Sequence, residues 1–168
     1  SSLNTLLGTA ATPEEAYQAY CKTILEIDLY KADVLIPIFG IHDDHVLGKN
    51  NSDDSIKNKE IMLKMFRSFF PVDTRIGEVQ LGPGNSFAIE CFGMLAVFFD
   101  TRSFKNKKKD HYLGPEQLNW IKKILFQNQM PVMLISTQQF WSYRFLAESY
   151  QGTSQVEFQQ LIDYIKSL

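Results

Sequence analysis

The chain has little of what marks several large function classes. It has no excess of positive charge: 17 Lys and Arg stand against 19 Asp and Glu, a net −2 over 168 residues. A dedicated nucleic-acid binder usually carries a strong basic excess, so no nucleic-acid-binding patch is expected. No apolar run approaches the ~18 residues of a membrane helix, and no membrane span is expected. Cysteine is scarce. Cys21 and Cys91 lie far apart among apolar residues, and neither has a CxxC neighbour. Two buried free thiols are therefore expected, with a single disulfide as the alternative. No secretory leader is visible, but the chain begins at Ser1 rather than Met, so the compartment stays open. GxGxxG, the P-loop lysine motif, HExxH and Gly-x-Ser-x-Gly are all missing, which sets aside the chemistries that rest on them.

What remains is an ordinary globular composition, 45% apolar and 21% charged, long enough for one domain with a sizeable core. Its polar chemistry is concentrated in one stretch, Gly40 to Asp54. His42 and His45 lie there, with Asp43, Asp44, Asp53 and Asp54, and with Asn50 and Asn51. The apolar run Val34 to Phe39 leads into it, and Gly40 and Gly48 bracket its core. A buried strand ending in carboxylates and imidazoles suits an active-site loop on an α/β sheet, where ligands bind beyond the carboxyl ends of strands. Oxygen and imidazole donors together suit a hard or borderline metal ion. Asp, Asn, Gly and Ser are also the ordinary turn-formers, so a solvated loop is the alternative. The adjacent Asp43 and Asp44 repel each other unless something positive neutralises them, which favours function.

Thr12-Pro13-Glu14-Glu15 reads as a capped helix start, with a helix to about Leu29 and Ala16, Tyr20 and Ile24 on one face. Pro37 demotes Val34 to Phe39 to an edge or irregular strand. Ser55 to Phe70 has helical spacing, with Met62, Met65, Phe66 and Phe69 as a core stripe. Gly77 to Leu81, the turn Gly82 to Asn85 and Ser86 to Phe92 read as strand, turn, strand. Met94 to Asp100 is apolar on both faces and reads as a strand covered on both sides. Its end, Asp100-Thr101-Arg102, is expected to hold a structural ion pair, with a role in a site as the alternative. Lys105 to Asp110 is the one charge run and reads as a solvated loop. Gly114-Pro115-Glu116 opens a helix with Leu118, Ile121 and Leu125 inward. Pro131 to Thr137 is a short strand. Ser154 to Glu157 reads as a capping box for a last helix carrying Phe158, Leu161, Ile162 and Ile165. Strands alternate with helices through the second half, so the fold class is α/β layers.

Four stretches carry a resemblance when taken in order. They are His42-Asp43-Asp44-His45-Val46-Leu47-Gly48-Lys49-Asn50-Asn51-Ser52-Asp53, Phe98 to Arg102, Leu113 to Trp120, and Ser136 to Phe140 with Glu148-Ser149-Tyr150. Together they resemble the alkaline phosphatase D-like metallophosphoesterases of the calcineurin-like superfamily, over roughly Val34 to Leu168. The resemblance implies a layered α/β sandwich of two sheets flanked by helices. It implies hydrolysis of phosphate mono- or diesters with two metal ions, calcium or iron first, zinc or manganese otherwise. It places Asp44 as a metal ligand and His45 as the catalytic histidine that steadies the phosphoryl group or protonates the leaving group. Asp43, Asn50, Asn51, Arg102, Gln139 and Glu148 become supporting or substrate-binding candidates. A secreted or periplasmic location is implied as well.

The sequence also departs from that pattern. Val46 stands where an acid usually orients the histidine, and His42 stands where the family has tryptophan. An acid restored at position 46 is expected to raise activity or shift its pH optimum upward. An early metal-binding aspartate, a Gly-Asp-x-x-Tyr-like segment and a closing Gly-Asp-x-His motif are not found. The chain is therefore expected to be the central part of a metallophosphoesterase catalytic domain, unable to assemble a dinuclear centre alone. The alternative function is a non-catalytic, degenerate relative acting as a binding or scaffold module. Substrate, oligomeric state and compartment are not fixed by the sequence.

Overall fold

The computed structural model describes residues 12–34, 36–48, 51–73, 78–142 and 149–168. Asn50 and Glu148 lie outside these residues. The first helix among the described residues, α1 (Pro13–Glu26), starts as its sequence predicts. The Glu15 N–H donates to Thr12 Oγ1 at 3.3 Å, and the Thr12 N–H donates back to Glu15 Oε2 at 3.1 Å. Ala16 and Tyr20 are buried. The helix ends at Glu26, and a 3₁₀ turn, Asp28–Lys31, takes over where the helix was expected to continue.

The described residues 36–39 of the apolar run before the polar stretch are not a strand. Residues 36–43 join no ladder, and the proline there removes one of the donors a ladder needs. Phe39 instead lays its ring against Phe87 and Phe98, with centroids 6.0 and 6.4 Å away. A one-turn helix, α2 (Asp44–Leu47), follows, and then α3 (Lys59–Phe69). The latter starts at Lys59 rather than Ser55 because Asp53 draws Ser55 into a turn. Asp53 Oδ1 accepts from the Ser55 N–H at 3.0 Å and from its hydroxyl at 2.6 Å. Met62, Leu63 and Phe66 of α3 close a helical core with Ala16, Ala19, Tyr20, Val46 and Leu47.

Four strands form a mixed sheet in the order β1 (Val79–Leu81), β2 (Phe87–Cys91), β3 (Met94–Phe98), β4 (Val132–Ile135). The first two pairings are antiparallel and β3–β4 is parallel. The β2–β3 turn is tight because Phe92 (φ 52°) and Gly93 (φ 74°) both take the left-handed conformation that matches strand twist. Helix α4 (Gly114–Gln127) makes the crossover that a parallel pair requires. As expected, β3 is covered on both sides. Leu95 and Val97 pack with Leu118, Ile121 and Leu125 of α4, while Ala96 packs with Phe87 and Ile89 on the other face. The outer strand β4 is open, with Val132 and Met133 exposed. Two further helices, α5 (Tyr150–Thr153) and α6 (Gln155–Ser167), bring Tyr150, Phe158 and Leu161 into the core that α4 lines. Six α-helices and a mixed sheet make the described residues an α/β fold. Among them no helix is long and apolar enough to cross a membrane. Both cysteines are free thiols and half-buried.

Two expectations fail locally. The capping box before α6 does not close: Ser154 makes no side-chain cap bond. Glu157 turns instead to the start of α4, where its carboxylate accepts from the N–H groups of Tyr112 (3.0 Å), Leu113 (2.7 Å) and Gly114 (2.9 Å). Three converging donors outweigh the single one a capping box offers. The charge run is not wholly solvated either, since Lys105 is buried and its carbonyl accepts from Asp54 N–H at 3.1 Å.

Candidate active site

Two segments run side by side beyond the carboxyl end of β3. One is residues 42–44, and the other is residues 100–102. Two charge contacts cross-link them at similar spacing: His42 Nε2 lies 3.2 Å from Asp100 Oδ1, and Arg102 Nη2 lies 3.4 Å from Asp44 Oδ1. The expected Asp100–Arg102 side-chain pair does not form. Each of the two takes a partner from the other segment, and only the Arg102 backbone N–H reaches Asp100, at 3.2 Å.

Asp100 is fully buried and saturated with donors. It accepts from the Asn85 N–H (2.9 Å), the Ser103 N–H (2.9 Å) and the Ser103 hydroxyl (2.6 Å). Burial works to raise its pKa. The adjacent His42 and the Ser103 hydrogen bonds outweigh that and hold the carboxyl well below the usual carboxylate range. Gly84 makes the approach of Asn85 possible. Its φ is +63°, and a Cβ there would run into Asp100 Oδ2. On the far side of the imidazole, Asn85 Nδ2 is 3.3 Å from His42 Nδ1.

Asp43 accepts from His45 N–H at 3.1 Å and so caps α2. Asp44, the first residue of α2, is buried. Its Oδ2 accepts from the Asn51 N–H at 2.5 Å, and Asn51 has a left-handed backbone, φ 60°. His45 Nε2 is 4.0 Å from Asp44 Oδ1, and the His45 side chain is 24% exposed. Its Nδ1 is buried and has no hydrogen-bond partner among the described residues. The arrangement is a buried carboxylate between a guanidinium and an imidazole, with one imidazole nitrogen left unengaged. Such a group can move a proton beside an anion that the guanidinium steadies.

Val46 shows why an orienting acid is not recovered by substitution. It is 7% exposed and packs in the helical core with Tyr20, Leu47 and Phe66. A carboxylate there would be buried without a partner, so the expected gain from an acid at this position is withdrawn.

Of the remaining candidates, Gln139 does not join the cluster. It is exposed, forms a parallel bridge with Ser149, and accepts the Tyr150 N–H at 2.9 Å. The neighbouring loop reaches the site through Thr137, whose hydroxyl is 2.7 Å from that of Thr101. Three contributors escaped the sequence reading. Gln117 ties α4 to the strand end, accepting the Asp100 N–H and donating to its carbonyl, both at 2.8 Å. Asn85 and Tyr20 are the others. The Tyr20 phenol is held above its ordinary pKa by burial first and by the Asp43 carboxylate second. Asn85 was marked by its turn position, Tyr20 by the inner face of α1 and Gln117 by the Leu113 to Trp120 stretch, none of them with a role in the site.

The described residues hold no group of three or more His, Cys, Asp or Glu arranged for a metal ion. Asp44 and His45 supply two donors, and the Asp44 carboxylate is already engaged by an amide and faced by Arg102. By themselves these residues do not fit a metal ion. No family model, curated protein or solved structure matches the chain.

Proposed function

We propose that this chain is the central part of a phosphoesterase that hydrolyses phosphate mono- or diesters. The observation that carries the reading is the meeting of Asp44 and Arg102 at 3.4 Å with His45 alongside, from segments far apart in the sequence. The other motif segments interlock with them. Gln117 bonds Asp100, the Tyr112 hydroxyl donates to Gln138, and Tyr112 stacks on Tyr150 at 4.6 Å. In this reading Arg102 steadies the charge of the phosphoryl group, and His45 delivers a proton to the departing alkoxide. The metal ions of the reading, calcium or iron first and zinc or manganese otherwise, would take Asp44 from this chain and most ligands from outside the described residues. The double-sheet sandwich is likewise proposed of the complete domain, with the present sheet as one of its layers.

A second reading, a non-catalytic binding or scaffold module, is favoured by the Asp44 carboxylate being already satisfied by Asn51 and Arg102. Turnover of nitrophenyl and alkyl phosphate esters by the complete protein decides between them. Under the first reading Asp44→Ala abolishes turnover. His45→Ala slows alkyl ester hydrolysis roughly 10²–10⁴-fold, and nitrophenyl ester hydrolysis much less, because that leaving group needs no proton. Absence of turnover of either ester by the unaltered complete protein establishes the second, and wild-type rates after either substitution would remove Asp44 and His45 from the chemistry.

A further inference from the structure

A cleft of about 390 Å³ opens between α3 and the β1–β2 turn. Its walls include Phe66, Phe70, Val72, Leu81 and Phe87, and its one charged lining residue among the described residues is Arg67. That guanidinium is held in place. Its Nε donates to Asn85 Oδ1 and its Nη2 donates to the Gly84 carbonyl at 2.8 Å, which uses two of its five N–H donors. An apolar cleft of this size with one fixed polar group has the character of a small-molecule site. About 150 Å³ holds a single benzene ring, so the volume suits a body of two fused rings. Among the described lining residues, one cation and no carboxylate suit a single negative charge, which a carboxylate supplies and a phosphate monoester exceeds.

We propose that this cleft is a binding site for a small aromatic carboxylate, its rings against Phe66 and Phe70 and its carboxylate on Arg67. The proposal does not rest on the phosphoesterase reading, because its readout is equilibrium binding. Calorimetric titration of the folded protein with 2-naphthoate, 2-naphthalenemethanol and acetate tests it. Saturable naphthoate binding is expected, at least about fivefold tighter than the neutral alcohol, with none for acetate. Val72→Trp should fill the cleft and remove both aromatic ligands. Leu81→Asp changes an exposed wall residue and leaves the Arg67 bonds intact. It should weaken naphthoate and spare the alcohol. Absence of saturable naphthoate binding, equal affinity for naphthoate and alcohol, or unchanged naphthoate affinity in Leu81→Asp would overturn the proposal.

Discussion

At the scale of single residues the buried contact between His42 and Asp100 decides the most. A carboxylate taken out of water is tolerated here because the Asn85 N–H and the N–H and hydroxyl of Ser103 converge on it. Asp100→Asn removes the charge and keeps the shape, and it leaves His42 facing an uncharged amide. A loss of about 3–5 kcal/mol is expected in urea unfolding at neutral pH. The pH dependence follows from the depressed pKa of the folded state. The unfolded chain protonates Asp100 near the ordinary value of about 3.9, while the folded chain still resists. This contribution is therefore full above that value and drains away as the pH falls toward the folded pKa. Unfolding midpoints of the wild type should drop steeply below about pH 4, and those of Asp100→Asn less so. Sequence reasoning found the right charged residues at this scale and mispaired them. Asp100 and Arg102 are neighbours along the chain, but their partners His42 and Asp44 come from another segment, and no spacing within either segment reveals that.

The elements divide by how local their cause is. The start of α1, the stripe of α3, the crossover helix and the doubly covered β3 were all legible, since capping residues, period and alternation are local signals. The run before residue 40 was legible only as irregular, through its proline, and α6 starts at its expected cap, but the Glu157 carboxylate leaves the capping box for amides of a distant segment. Glycines separate the two kinds of constraint experimentally. Gly93 has a positive φ of 74°, and nothing lies within 4 Å of the place a methyl group would take. Gly93→Ala should therefore cost only the backbone, about 1–2 kcal/mol. Gly84 has the same handedness with Asp100 in the way, so Gly84→Ala should cost about 2–5 kcal/mol. Thermal unfolding of the pair checks the order. Glu157→Ala leaves three N–H groups at the head of α4 without their acceptor. A loss of about 3 kcal/mol or more is expected. Circular dichroism with urea titration measures it.

Across the whole molecule the apolar packing falls into a helical core and cores on the two faces of the sheet. Several bonds from the helical core to the strand ends are polar. They include Lys59 Nζ to the Ser103 carbonyl at 3.2 Å and Asn106 Nδ2 to Asp54 at 2.9 Å, besides the Arg67 and His42 contacts. Polar links open more readily than a packed face. Native-state hydrogen exchange should therefore show α3 amides exchanging at lower opening free energy than those of β3 and α4. Equal protection throughout would contradict that division. The Glu157 carboxylate has a last consequence, and it concerns time. Gly114 waits for a partner 43 residues downstream. At a synthesis rate of about 5–20 residues per second, that partner appears roughly 2–9 s later. During that interval the first turn of α4 has only water to satisfy its amides. The layer on which the site stands is finished late on the growing chain, and a ribosome paused between the two positions would hold it half-built.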